Sequence, residues 1–179
     1  MSKRLAVVIP AYRVANQILA VLDGIGPEVA AIYVVDDGCP EGSGAHVNEH
    51  CRDPRVRVLV QSRNTGVGGA VMHGFRAALS DGAGLIVKLD GDGQMDPALV
   101  PDLVEPIQAG RADYVKGNRF HGLDIIGAMP PLRLFGNAAL SFLAKASTGY
   151  WQLFDPTNGF IAIERRIAAL LVQERLSQR

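Results

Sequence analysis

Short β-branched runs alternate with segments of helical spacing along most of the chain, and this alternation limits the folds that the sequence can adopt. The runs that read as strands are residues 5–9, 31–35, 56–60, 84–88 and 113–117. Most of them are apolar on both faces, as strands are in a sheet that helices cover on both sides. Helical spacing occupies residues 15–25, 43–51, 67–80 and 97–109. This order of strands and helices predicts an α/β fold with a largely parallel sheet.

Capping signals mark the ends of some predicted elements. Asp96 and Pro97 read as an N-cap followed by a proline in the first turn, and Gly110 ends the same helix. Later the pattern is less regular, with an amphipathic helix predicted at 132–147 and a short strand followed by a helix at 159–171. Ligands of parallel sheets bind beyond the carboxyl ends of the strands, so the loops after the strands are where we expect a site.

Composition excludes several classes of protein. The chain has 179 residues, which suits a single domain. Its 18 basic residues balance 18 acidic ones, so charge gives no argument for a nucleic-acid partner. No run reaches about 18 consecutive apolar residues, which predicts a soluble, cytoplasmic protein. The cysteines, Cys39 and Cys51, match no metal or redox spacing, and we expect them to serve in packing.

The segment LDGDGQM, residues 89–95, follows an apolar run and carries two carboxylates one residue apart. In an extended segment Asp90 and Asp92 would point to the same side and repel each other. A divalent cation relieves that repulsion, and Gln94, one further step of two residues along, offers a third oxygen ligand. The alternative is a surface turn, because Asp and Gly are common turn residues.

Two other motifs compete for the same residues. A calcium-binding loop needs glycine at its sixth position and glutamate at its twelfth, where this chain has Met95 and Pro101. A dinucleotide-binding unit is suggested by Gly66 and Gly68 after a strand, with Asp90 about twenty residues on. The third glycine of that fingerprint is Val71, which weakens this alternative without removing it.

Four segments in order, AVVIPAYR, YVVDDG, RNTGVGGA and VKLDGDGQMDP, resemble the family 2 glycosyltransferases over roughly residues 4 to 165. Within that family the pattern is most similar to the polyprenyl-phosphate mannose and glucose synthases. The resemblance implies the GT-A fold, a Rossmann-like α/β/α sandwich with a mostly parallel central sheet. It also implies one catalytic domain over 1–179, with a nucleotide-sugar-binding half at about 1–96 and an acceptor-side half at about 97–179.

The resemblance also implies roles for individual residues around a nucleotide-sugar donor. The donor-binding positions are Pro10, Ala11, Tyr12, Asp37, Gly66, Gly69 and Asp90. The positions for Mg²⁺ or Mn²⁺ are Asp90, Asp92 and Gln94, and Asp92 also counts as catalytic. Asp36 is interpreted as the more structural member of the Asp36–Asp37 pair.

On the acceptor side the resemblance leaves two alternatives open. Arg119 and Arg133 match arginines that hold the lipid phosphate in the polyprenyl-phosphate branch, and Asn158 is assigned to the same side. A saccharide hydroxyl would instead need a general base, for which Asp155 is the candidate, although its Asp-Pro-Thr-Asn-Gly context is also typical of a turn. Ile161 stands where that branch usually has a basic residue, so either one phosphate contact is missing or the acceptor is a sugar hydroxyl.

The function implied is inverting, metal-dependent sugar transfer from a UDP- or GDP-linked donor in cell-envelope glycan synthesis. A nicotinamide-dependent oxidoreductase and a catalytically inactive nucleotide-binding module are the alternatives. Peripheral contact with the inner face of the cytoplasmic membrane and a homo-oligomer are both compatible with the sequence.

Overall fold

The computed structural model describes residues 3–117 and 158–173. Its strands are β1 (Leu5–Ala11), β2 (Ala31–Asp36), β3 (Val56–Val60), β4 (Leu85–Lys88), β5 (Tyr114–Lys116) and β6 (Ile161–Glu164). Its helices are α1 (Ile18–Asp23), α2 (Ser43–His50), α3 (Gly66–Ser80), a 3₁₀ turn (Pro97–Leu99) continued by α4 (Val100–Gln108), and α5 (Arg165–Gln173). Each of these elements lies within or close to a segment that the sequence pattern predicts.

The strands form one sheet in the order β3-β2-β1-β4-β6-β5. β1 pairs in parallel with β2 and β4, and β2 pairs in parallel with β3. β6 is antiparallel to β4, which gives a mixed sheet with a parallel majority. The prediction of a largely parallel α/β sheet is confirmed.

Helices cover both faces of the sheet, because the central strands carry apolar residues on both sides. One core cluster includes Ile9, Ile18, Val34, Leu103 and Ile107, and so joins the sheet to α1 and α4. The second includes residues of α3 and α5 together with the opposite face of the sheet. β2 and β4 are buried along their whole length, whereas β3 is partly exposed. Helices therefore pack on both faces of the sheet, as expected of an α/β/α sandwich.

The predicted capping signals around the 3₁₀ turn and α4 are present. The Asp96 side chain accepts a hydrogen bond from the Ala98 N–H, with Pro97 next in the chain. Gly110 follows the end of α4 with φ of 71°, a left-handed conformation that suits glycine. In the described part of the chain, no helix has both the length and the apolar character needed to cross a bilayer.

The chain divides into two compact units. The described residues up to Val115 and from Phe160 onward belong to the first unit, which contains the sheet core and its covering helices. Residues 116–117 and 158–159 belong to the second. Within that second unit, the Asn158 side-chain amide donates to the Gly117 carbonyl at 2.8 Å. The predicted amphipathic helix at 132–147 lies outside the described residues.

Candidate functional site

A cleft of about 500 Å³ opens where β1, β2 and β4 end. Its lining residues are Pro10, Ala11, Tyr12, Arg13, Val14, Asp37, Asn64, Gly66, Val67, Asp90, Gly91 and Asp92. The three strands are adjacent and parallel, so their carboxyl ends share one edge of the sheet. The loops that follow them therefore bring three carboxylates, those of Asp37, Asp90 and Asp92, to one concave surface.

Asp37 is buried and is held by the loop that leads into α3. Its Oδ1 accepts hydrogen bonds from the Thr65 N–H at 2.8 Å, the Thr65 hydroxyl at 2.9 Å and the Gln61 side-chain amide at 3.1 Å. No hydrogen bond within the described part of the chain uses its Oδ2. One oxygen of Asp37 thus fixes the loop, and the other can accept from a ligand in the cleft.

Gly69 lies one turn into α3 and allows the Thr65 side chain to reach Asp37. A Cβ at position 69 would lie 2.2 Å from the Thr65 hydroxyl oxygen, closer than any tolerable contact. Gly69 is not among the residues that line the cleft. Its predicted closeness to a nucleotide stays a prediction, whereas its contact with Thr65 is a feature of the fold.

Asp36 contributes to the loop after β2 rather than to the cleft. Its Oδ1 accepts from the Cys39 N–H and its Oδ2 from the Gly44 N–H, both at 2.7 Å. The side chain is buried and each of its oxygens has a backbone partner. These contacts agree with the structural role that the sequence interpretation gave to Asp36.

Asp90 is paired with a buried lysine of β4. The Lys88 ammonium lies 2.5 Å from Asp90 Oδ1, and the Lys88 side chain is only 8% exposed. Lys88 is the last residue of β4, and Asp90 lies two residues beyond it, so this ion pair joins the end of the strand to the acidic loop. Asp90 therefore enters the cleft with part of its charge already compensated by the protein.

Asp92 lies in a turn and not in the extended segment that the sequence reasoning assumed. Gly93 has φ of 75°, and the Gln94 N–H donates to Asp92 Oδ1 at 3.1 Å. Gly91, between the aspartates, is buried against Ile9. A turn and a ligand site are therefore compatible interpretations of this segment, because the turn brings both carboxylates to the cleft.

Gln94 faces a neighbouring cavity of about 630 Å³ that shares Asp92 with the cleft. The lining of that cavity is rich in amide and carboxylate groups, including Asn16, Gln17 and Asp96. Gln94 does not line the cleft that contains Asp90. Asp92 therefore lines both cavities. It shares the cleft with Asp90 and the neighbouring cavity with Gln94.

The segment after β1 contributes an aromatic ring and a cation to the cleft. Tyr12 is exposed, and the Arg13 guanidinium carbon lies 5.5 Å from the centre of its ring. The Arg13 side chain also pairs with Glu41 at 3.6 Å. An exposed ring beside a cation at a concave surface can stack on a planar, electron-rich ligand such as a nucleobase.

Cys39 lies behind this segment and accepts hydrogen bonds instead of serving only in packing. Burial by itself would raise the pKa of the Cys39 thiol. Hydrogen bonds from the Ser43 hydroxyl and from the backbone N–H groups of Arg13, Ser43 and Glu41 outweigh burial, so that the pKa is lowered. Cys51 instead packs against the core cluster that contains α1.

Most predicted donor-side residues come together in the cleft. They are Pro10, Ala11, Tyr12, Asp37, Gly66, Asp90 and Asp92. On the acceptor side, Asn158 is buried with its amide bonded to Gly117. Asp155, Arg119 and Arg133 lie outside the described residues, and their roles stay predictions.

The sequence reasoning missed several residues that the fold brings to this site. Lys88 could have been found, because it is a lysine at the end of an apolar strand, only two residues before an aspartate. Asn64 and Arg13 stand in the quoted motifs but were given no role. The link from Asp37 to Thr65 joins β2 to the start of α3, and no spacing in the sequence reveals it.

Comparison with known proteins adds a family and a fold. The sequence model described as Glycosyl transferase family 2 matches residues 6–171. A polyprenol monophosphomannose synthase of Mycolicibacterium smegmatis is 30% identical over 171 residues, which cover 93% of this chain and 63% of that protein. A UDP-N-acetylglucosamine–dolichyl-phosphate N-acetylglucosaminyltransferase of Methanococcus voltae is 26% identical over 191 residues, covering 99% of this chain and 76% of that protein.

Among solved structures, glucosyl-3-phosphoglycerate synthase from Mycobacterium tuberculosis in complex with Mn²⁺, UDP and glucosyl-3-phosphoglycerate superposes with a TM-score of 0.69. The two chains are 22% identical, and the match covers 93% of this chain and 58% of that one. The likeness confirms the GT-A fold. The chain spans less than two thirds of the length of this structure and of the mycobacterial relative.

Proposed function

The chain belongs to glycosyl transferase family 2, and on that premise we propose that it transfers a sugar from a nucleoside-diphosphate sugar to a polyprenyl phosphate. The observation that carries the proposal is the convergence of Asp37, Asp90 and Asp92 on one cleft, beside the exposed ring of Tyr12. The names of the Mycolicibacterium and Methanococcus relatives, both transferases to a polyprenyl or dolichyl phosphate, support the acceptor class. The comparisons give the oxidoreductase alternative no support.

In the proposed donor site, Asp37 and the acidic turn after β4 have different roles. Asp37 Oδ2 is placed to accept a hydrogen bond from a base N–H or a ribose hydroxyl. Tyr12 offers a face for the base, and the backbone at Gly66 leaves open space for the donor, because a Cβ there would meet no atom within 4 Å. In this proposal the acidic turn after β4 binds the cation that neutralises the diphosphate.

The residues of this turn would supply part of a binding site for a divalent cation. The diphosphate of the donor would supply the remaining ligands. Asp90 and Asp92 supply the carboxylate oxygens that Mg²⁺ and Mn²⁺ prefer, and Gln94 lies on the other side of Asp92. Among the described residues no group of three His, Cys, Asp or Glu side chains could hold a metal alone. A bound cation would stabilise the charge that develops on the leaving nucleoside diphosphate. Lys88 holds Asp90 in place for this arrangement.

We propose inversion at the anomeric carbon, with the acceptor oxygen attacking opposite the departing diphosphate. A polyprenyl phosphate is already ionised at neutral pH and needs no general base, so Asp155 would then only position groups. Arg119 and Arg133 would bind the phosphate, since guanidinium groups can grip phosphate oxygens in a bidentate way. Work at a lipid acceptor implies peripheral contact with a membrane and a role in cell-envelope glycan synthesis.

Calorimetric titration and a transfer assay test the proposal together. UDP, GDP, CDP and dTDP with Mn²⁺ should be tested for binding, with NAD as the comparison ligand. Binding of one nucleoside diphosphate but not of NAD, followed by sugar transfer to a short-chain polyprenyl phosphate, supports the proposal. Metal-dependent binding with neither transfer nor donor hydrolysis would instead identify an inactive nucleotide-binding module.

The acceptor class can be separated by two sets of variants. Arg119→Lys and Arg133→Lys keep the charge and remove bidentate binding, so a phosphate acceptor predicts a large loss of transfer with donor affinity unchanged. Asp155→Asn should then retain most of the activity. Transfer that survives both lysine variants and disappears in Asp155→Asn would show that the acceptor is a hydroxyl and that Asp155 is its base.

A further inference from the structure

The backbone of Arg13, directly after β1, adopts a conformation that is uncommon for its residue type. Arg13 has φ of 57°, and it is the only non-glycine residue with positive φ in the described ranges. The left-handed region costs a residue with a Cβ roughly 1–2 kcal/mol, so neighbouring groups must hold it there. Arg13 lines the cleft together with Tyr12 and Val14, so this conformation shapes the wall of the proposed donor site.

Two side chains, Cys39 in the loop after β2 and Ser43 at the start of α2, accept hydrogen bonds from consecutive N–H groups of this segment. The Arg13 N–H donates to Cys39 Sγ at 3.1 Å, and the Val14 N–H donates to Ser43 Oγ at 3.1 Å. Cys39 Sγ and Ser43 Oγ lie 3.2 Å apart, so the two acceptors form one pair. Ser43 is fully buried, which fixes its position.

The pair is itself anchored to the sheet. Asp36, the last residue of β2, accepts from the N–H of Cys39 itself and from the N–H of Gly44, the residue after Ser43. Asp37, the next residue, lines the cleft. The Asp37 N–H also donates to the Ala11 carbonyl at 3.1 Å, so the pairing of β1 with β2 holds Ala11 beside Asp37. Cys39 and Ser43 then hold the residues that follow Tyr12.

We propose that Cys39 and Ser43 are positioning residues for donor binding: by holding the backbone of Arg13 and Val14, they orient Tyr12 in the cleft that Asp37 also lines. This inference rests on the proposed function of the cleft as the donor site. Neither side chain lines the cleft, so both act through the segment that they hold.

Kinetics of matched variants test the proposal. Cys39→Ala removes the acceptor for Arg13 and should raise the donor KM about 10-fold, the loss expected for one hydrogen bond, with kcat changed less than about 2-fold. Cys39→Ser keeps an acceptor and should restore the KM to within about 3-fold of the native value. Cys51→Ala, the other free cysteine, is the control and should leave both constants unchanged. An unaltered KM in Cys39→Ala, or equal losses in the alanine and serine variants, would overturn the proposal.

Amide hydrogen exchange without any nucleotide separates this inference from the proposed function. Cys39→Ala should speed exchange at the Arg13 N–H, and Ser43→Ala should do so at the Val14 N–H, while the far-UV circular dichroism spectrum stays that of the native protein. If exchange changes as expected but no nucleoside diphosphate binds the native protein, the proposed donor site fails while the holding pair stands. Unchanged exchange at both amides refutes the positioning role whatever the protein binds.

Discussion

The loops after β2 and β4 both end a buried strand with a pair of carboxylates, but the protein treats the two pairs differently. In the β2 loop both oxygens of Asp36 and one oxygen of Asp37 are bonded to protein donors. Among residues 3–117 and 158–173, Asp90 of the β4 loop has one partner, Lys88, and the exposed Asp92 accepts a single bond from the backbone of its own turn. Within the described part of the chain, three of the four carboxylate oxygens in the first loop have protein donors, compared with two of the four in the second.

The sequence shows only an Asp-Asp pair in one loop and an Asp-x-Asp pair in the other. The hydrogen bonds distinguish an aspartate that stabilises the fold from one that is available to a ligand. A buried carboxylate without partners is costly, so Asp36 must be bonded in the folded state. An exposed carboxylate keeps its water shell and can exchange it for a cation. Substitutions in the β2 loop should therefore act mainly on stability, and those in the β4 loop mainly on ligand binding.

The largest effect should come from Asp36→Ala. This change leaves two backbone N–H groups without acceptors and should lower the free energy of unfolding by roughly 4 kcal/mol, at about 2 kcal/mol for each charge-assisted bond. Urea unfolding followed by circular dichroism measures the loss. Asp23→Ala, at an exposed position at the end of α1, is the control and should change stability by less than about 0.5 kcal/mol. Equal stability of the two variants would remove the contrast between the loops.

Asp92→Asn should have the next largest effect, and on binding instead of stability. Losing a charged metal ligand should weaken Mn²⁺-dependent nucleotide binding at least about 100-fold, since even outer-shell changes cost 10–100-fold in metal affinity. Calorimetry with and without Mn²⁺ measures the effect, and the unfolding free energy should stay the same. Asp96→Asn is the matched control, because asparagine caps the 3₁₀ turn as well as aspartate does. Metal-dependent binding that persists in Asp92→Asn would show that the turn is only structural.

The fold was largely predictable from the sequence, because burial on both faces leaves a strong signal. β3 matches the predicted 56–60, and the predicted Asp96 cap and Gly110 end of α4 are present. The insertion of β6 between β4 and β5, antiparallel to β4, was not predictable, because no local pattern specifies which strands pair.

The cleft was predictable in its residues more than in its geometry. Asp90 and Asp92 were expected to meet through an extended segment, whereas Gly93 at positive φ makes a turn there. The pairing of Lys88 with Asp90 joins opposite charges two residues apart and could have been predicted. The links from Cys39 to Arg13 and from Thr65 to Asp37 depend on how separate strands and helices pack, which spacing along one chain does not encode.

A smaller effect on binding is expected from changes at Asp37, which is bonded to protein donors like Asp36 and lines the cleft like Asp90 and Asp92. Asp37→Asn keeps an oxygen for Thr65 but removes the charge, so donor affinity should fall roughly 10-fold with its dependence on Mn²⁺ intact. Asp37→Ala should add a loss of stability, because Thr65 and Gln61 lose their acceptor. Calorimetry and urea unfolding measure the two effects separately. Loss of metal dependence in the asparagine variant would place Asp37 with the β4 carboxylates instead.

The smallest effect concerns the charge of Cys39, which depends on the same donor-rich environment as Asp36. Although burial opposes it, the hydrogen bonds from Ser43 and the backbone lower the pKa of the Cys39 thiol below its ordinary value of 9.0. The folded state therefore favours the thiolate more than the unfolded state does. Between the folded pKa and 9.0 the unfolded chain binds more protons, so stability should rise with pH and level off above 9.0. The same contribution is lost as the pH falls through the folded pKa.

The rate of Cys39 alkylation by iodoacetamide against pH, in the Cys51→Ala background, gives the folded pKa directly, because the thiolate is the reacting form. Its midpoint should lie below 9.0 and should rise in Ser43→Ala, which removes the largest of the lowering contacts. Arg13→Ala, which keeps the backbone N–H but lacks the guanidinium, is the control and should move the midpoint less. If the arginine variant shifts the midpoint more than Ser43→Ala does, the charge of Arg13 and not the hydrogen bonds of the β2 loop governs the thiol. The loop would then resemble the β4 turn, where a neighbouring cation and not a set of N–H donors compensates the acid.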